Sequence, residues 1–115
     1  MAVRIEPTAD GLTAWLSGEI DHHTARVLRE TIDTAIARSK PRTVRLDFSS
    51  VGFMDSSGIG LVMGRYRLVS AYGGVLRVVG TSDRLLRVMK LAGLERLPVW
   101  ETPMTAIKRK EARKV

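Results

Sequence analysis

Near the start of the chain, apolar side chains fall at every second position. Val3 and Ile5 alternate with Arg4 and Glu6, and Leu12, Ala14 and Leu16 alternate with Thr13, Trp15 and Ser17, which is the period of a half-buried strand. The polar segment from Pro7 to Gly11 separates the two runs, so they predict an antiparallel hairpin. Gly18, Glu19 and Asp21 end the second run. Beyond them Ala25, Leu28, Ile32, Ala35 and Ile36 recur at helical spacing, with Asp21 placed to cap the helix. Ser39-Lys40-Pro41 stops that helix, because the residue before a proline disfavours helical backbone. Val44, Leu46 and Phe48 then alternate with Arg45 and Asp47 in a strand from Thr43 to Phe48.

Val51-Gly-Phe-Met-Asp-Ser-Ser-Gly58 joins that strand to a second helical pattern, Ile59, Val62, Met63, Tyr66 and Val69. The chain turns at Asp55-Ser56-Ser57-Gly58, where Asp and Ser side chains can accept from the unpaired donors of a helix's first turn. The helix dipole also favours negative charge there, so a phosphate on either serine is electrostatically welcome. A plain helix cap at Asp55 or Ser56 explains the same residues. Gly60 and Gly64, four apart, lie on one face and suggest close backbone approach to the sheet or to a partner. Gly73-Gly74 closes the helix and Val75 to Val79 reads as a buried strand. A third helix, capped by Ser82 or Asp83, carries Leu85, Leu86, Val88, Met89 and Leu91 and stops at Gly93. Leu97 to Trp100 suggests a short last strand, and Thr102-Pro103 the start of a helix running into the C-terminus.

The order β-β-α-β-α-β-α-β-α predicts an α/β fold, a mixed and mostly parallel sheet covered by about four helices. At 115 residues the chain fits one domain,. Hydrophobic residues at 44% and charged residues at 27% are globular proportions, and no apolar run approaches the ~20 residues of a membrane span. The absence of cysteine excludes disulfides and thiolate chemistry and is compatible with the cytoplasm, the expected location. The net charge of +7 raises nucleic acid or an anionic surface as a partner,. However, residues 108–115 hold Lys108, Arg109, Lys110, Arg113 and Lys114 against Glu111, so most of the excess is a terminal basic tail following a domain at 1–107,.

No active site assembles from the sequence. His22 and His23 are adjacent, so on a helix they diverge by about 100° and cannot make a same-face metal pair. Ser57 beside Asp55 lacks a base and the G-x-S-x-G elbow, and the glycines from 58 to 64 do not form a P-loop. No cofactor or metal is expected. The aromatic residues form no basic ladder of the kind that binds single strands, which leaves nucleic-acid binding as an alternative carried by the tail.

The run from Asp47 to Tyr66, DFSSVGFMDSSGIGLVMGRY, resembles the phosphorylation-site signature of the anti-sigma factor antagonists, which are single STAS domains. The earlier run from Gly18 to Thr24, GEIDHHT, is similar to that family too, and the likeness extends from about Val3 to Trp100 and points to the antagonists of sporulating bacteria. The resemblance implies a partner switch. The unphosphorylated chain would bind an anti-sigma factor that is also a serine kinase and so release the sigma factor. Phosphorylation of Ser57, the second serine of D-S-S-G, would block binding, and a serine phosphatase would reset it. ATP would belong to the kinase, making this chain substrate and ligand, not enzyme. A partner surface is expected around Ser57: Asp21, His22, His23 and Thr24 from the first helix start, and Met54, Asp55, Ser56, Gly58, Ile59 and Leu61 from the second. Core packing competes with this role at Met54 and Ile59. A general stress-response antagonist of the same family is the alternative, and the basic tail matches no motif of the family.

Overall fold

The computed structural model describes residues 2–101. Four strands and three α-helices are present among them: β1 (Val3–Thr8), β2 (Gly11–Ile20), α1 (His22–Ser39), β3 (Thr43–Met54), α2 (Ser56–Ala71), β4 (Val75–Val79) and α3 (Asp83–Leu91), followed by a 3-10 turn at Leu94–Arg96. The strands lie side by side in chain order. The β1–β2 hairpin is antiparallel, whereas β2–β3 and β3–β4 are parallel, as connections through helices require.

Register explains how one face becomes the core. Ile5 pairs with Ala14, Ala14 with Leu46 and Leu46 with Val78, so one apolar row crosses all four strands. Leu28, Ile32 and Ile36 of α1, with Leu61, Val62 and Val69 of α2, are buried in the same core. Leu85 and Met89 of α3 close it. The opposite face carries charge. There Arg45 pairs across the sheet with Thr13 and Arg77, and its guanidinium bridges Asp10 and Glu101.

The strands run further than their alternation suggests. Between Asp47 and Ser50, and again between Val51 and Phe53, β3 holds one residue more than β2 opposite it. Each such bulge shifts the apolar phase by one, so period-two reading loses the strand after Phe48. Gly18, with φ +83°, lies where β2 follows the second bulge, and β2 continues through it to Ile20. The expected strand at Leu97 to Trp100 does not form. Val78 makes one bridge with Trp100 and donates to the Val99 carbonyl at 2.6 Å, and Pro98 has no N–H to extend the ladder. The helix expected from Thr102 and the basic tail at 108–115 lie outside the described residues.

Gly60 and Gly64 also differ from expectation. A Cβ on either would meet nothing within 4 Å, so neither makes room for the sheet. The close approach occurs at Gly58, where a Cβ would fall on Cγ and Sδ of Met54.

Candidate functional site: two helix starts on one rim

β2 and β3 are parallel neighbours that end together, with Ile20 paired to Met54. Each strand passes at once into a helix, so two helix N-termini open side by side at the same end of the sheet. The Asp55 N–H donates to the Ile20 carbonyl at 3.1 Å and ties the two junctions together. Carboxyl ends of parallel strands gathered in this way are where open α/β sheets present their binding groups.

An aspartate caps each helix. Asp21 Oδ1 accepts from the N–H groups of His23 and Thr24, both at 2.9 Å, while Thr24 Oγ1 accepts from the Asp21 N–H at 2.9 Å. This is a capping box closed by threonine,. Thr24 Oγ1 also donates to the Glu19 carbonyl at 2.9 Å, binding the last turn of β2 to the helix it starts. The N–H of Thr24 is the main reason the Asp21 carboxyl sits below its ordinary pKa, since donors aimed at a carboxylate favour its charged form. At the second junction Asp55 Oδ1 accepts from the Ser57 N–H at 2.8 Å, which settles the cap on Asp55 rather than Ser56. Ser57 is therefore held in the first turn of α2 by its own backbone.

The expected patch divides by depth. His22, His23 and Ser56 are exposed, and Asp21, Thr24, Asp55, Ser57 and Ile59 are half-buried. Met54 and Leu61 are buried at 4% and 3% exposure and belong to the core. For Met54 this is the core packing that competed with a partner role in the sequence, while Leu61, expected at the partner surface, lies in the core and reaches only the floor of the cleft between α1 and α2. Gly58 is buried against Met54 as well. One residue that periodicity passed over is exposed on the same rim: Phe53, 48% exposed, beside Glu19. An exposed aromatic next to a polar junction is the signal that could have found it.

Between α1 and α2, just below the junctions, lies a cleft of about 290 Å³ lined by His22, Arg26 and Arg29 from α1 and by Ser57, Gly60 and Arg65 from α2. Arg65 is 6% exposed. Its Nε lies 2.8 Å from Asp33 Oδ1, but the N–H does not point along that line, and neither Nε nor Nη1 has a hydrogen-bond partner among the described residues. No group of three or more His, Cys, Asp or Glu side chains able to hold a metal ion occurs among the described residues.

Comparison with known proteins agrees with this arrangement. The STAS domain family matches residues 3–108. An anti-sigma F factor antagonist of Paenibacillus polymyxa is 32% identical over 108 residues, covering 93% of this chain and 92% of its own. The structure of the anti-sigma factor antagonist SpoIIAA in its unphosphorylated form superposes with a TM-score of 0.75 at 33% identity, over 96% of this chain and 97% of that one. The phosphorylated form of the Bacillus cell fate determinant SpoIIAA gives 0.69 at 35% identity, over 94% and 98%. With its hairpin, its parallel core and its paired helix starts, the chain belongs to the STAS domain family, alongside the anti-sigma factor antagonists.

Proposed function

We propose that this chain is an anti-sigma factor antagonist working by partner switching. In its unphosphorylated form it binds an anti-sigma factor that is also a serine kinase, releasing the sigma factor; phosphorylation of Ser57 ends that binding, and a serine phosphatase restores it. The chain is substrate and ligand in this cycle, not catalyst, and it acts in the cytoplasm on transcription during sporulation. The domain is assigned to residues 1–107 and the basic tail to 108–115. No helix among the described residues is long and apolar enough to cross a membrane.

The observation that carries this reading is the placement of Ser57 in the first turn of α2, half-buried, on a rim shared with the Asp21-capped start of α1. Phosphorylation adds about −1.5 to −2 charge and three acceptor oxygens. A helix N-terminus accepts these without unfolding, whereas a protein surface docked on the rim meets new bulk and charge. Asp21 and Asp55 add their own negative charge to whatever approaches. Support for phosphorylation comes from the relative whose structure exists in a phosphorylated form. His22, His23, Thr24, Ser56 and Ile59 complete the proposed contact surface, with Phe53 as its aromatic anchor.

The test is incubation with a candidate anti-sigma kinase and ATP, phosphate mapping by mass spectrometry, and a binding assay on both forms. One phosphate on Ser57, absent from Ser57→Ala and abolishing the complex, is the expected result. Binding and phosphorylation both absent across several such kinases would overturn the reading.

A further inference from the structure

The cleft between α1 and α2 sets three arginines around a floor that includes Ala25 and Leu61. Arg26 and Arg29 line it from α1 and Arg65 from α2, His22 stands at its mouth, and no carboxylate lines it. The nearby acids face these arginines from outside the cleft, Glu30 at 3.4 Å from Arg26 and Asp33 at 2.8 Å from Arg65 Nε, where Asp33 Oδ1 too lacks a hydrogen bond among the described residues. Nη1 of Arg65 is buried without a hydrogen-bond partner among the described residues, an unfavourable state for a charged donor. Burial pushes the Arg65 guanidinium down from its ordinary pKa; Asp33 opposes that shift, and Arg29 adds to it. The pocket is one anion short of balance.

Ser57 lines the same cleft. Arg65 follows it on α2 by two turns, about 12 Å along the axis, but helical side chains lean toward the N-terminus and an arginine arm spans much of that distance. Gly60, between them, contributes no side chain to fill the space.

We propose that this cleft is a phosphoryl-binding site, in which Arg26, Arg29 and Nη1 of Arg65 hold the dianion carried by Ser57 after phosphorylation. The inference rests on the reading of Ser57 as the acceptor. Bidentate arginine contacts suit phosphate geometry, and drawing the group into the cleft pins α1 to α2. Phosphorylation would then do more than repel a partner: it would lock the two helix starts together.

The site can be tested without any kinase by inserting phosphoserine at position 57 during translation and following its 31P shift with pH. Free phosphoserine has a second pKa of about 6, and two or three guanidiniums should lower it by about one unit. Arg26→Gln with Arg29→Gln, both at exposed positions, should return it to the free value. A second arm measures whether inorganic phosphate raises the melting temperature of the unmodified chain above chloride of equal ionic strength, and whether the same pair of substitutions removes the effect. A normal phosphoserine pKa with phosphate-dependent stabilisation would keep the site and assign it to free phosphate. An unshifted pKa with no phosphate effect, or shifts that survive the double substitution, would overturn it. Because the phosphate is installed by translation, a kinase that ignores Ser57 would undo the partner-switch reading alone.

Discussion

Met54 and Gly58 interlock at the turn that holds Ser57 in place. A Cβ at position 58 would clash with Cγ and Sδ of Met54, a side chain that is itself 4% exposed. Gly58→Ala should therefore destabilise the chain by about 1–3 kcal/mol through overpacking, and Met54→Ala by about 2–5 kcal/mol through the cavity it leaves. The double variant should lose less than the sum, since each change removes the other's conflict; urea unfolding of the three variants decides it, and strict additivity would show that the two residues do not share this space. Much of this junction was readable from residues alone. Asp21 and Asp55 act on N–H groups two or three positions away, and such local chemistry is fixed by spacing. Core packing at Met54 was one of two readings its pattern allowed, but the depth of Leu61 was not readable, because it depends on which strand lies beneath it. Phe53 escaped for the same reason, its phase having been reversed by a bulge.

At the scale of elements, α2 carries glycines that its packing does not demand. Gly64 meets nothing when given a Cβ, and a glycine in a helix interior is less favourable than alanine by about 0.5–1 kcal/mol. Gly64→Ala should stabilise the fold by about that amount, raising the urea midpoint with an unchanged slope. A loss of stability would mean that α2 sits closer to its neighbours than described. The spacing of Gly60 and Gly64 suggested tight packing because a shared face is all that periodicity reports; whether that face meets sheet, cleft or solvent is set by how the helix is rotated. The strands teach a related lesson. The hairpin, the crossovers and the mixed sheet followed from short alternating runs, while the reach of β2 and β3 to the rim did not, since two bulges interrupt the alternation where the site begins. Pro98 likewise decided against a fifth strand through one missing donor.

Across the whole molecule, the end of the sheet opposite the rim is held by charge. Asp10, in the turn of the hairpin, receives both Nη1 and Nη2 of Arg45 at 3.1 and 3.2 Å, and Arg45 Nε reaches Glu101 at 2.6 Å. The Asp10 N-terminal hairpin is thereby fastened to the central strand, a connection reinforced by the Thr43 N–H, which donates to the Asp10 carbonyl at 3.0 Å. Hydrogen bonds from Arg45 first, then from Thr8, lower the Asp10 carboxyl from 3.8 to about 2. A carboxyl depressed in the folded state stabilises it above the unfolded pKa and loses that contribution as pH falls through the folded one. Unfolding by urea should accordingly become easier as pH drops from about 4 to about 2, with the Asp10 carboxyl titrating at the low end of that window by carbon-13 NMR. Asp21 at the rim is depressed in the same direction, so Asp10→Asn should weaken the acid sensitivity without abolishing it. Asp10→Asn should also leave partner binding intact, since the hairpin turn and the capped helix starts lie at opposite ends of β2. If the Asp10 carboxyl titrates near 4 instead, the Arg45 bridge is not formed in solution, and the attachment of hairpin to sheet rests on backbone pairing and the apolar row alone.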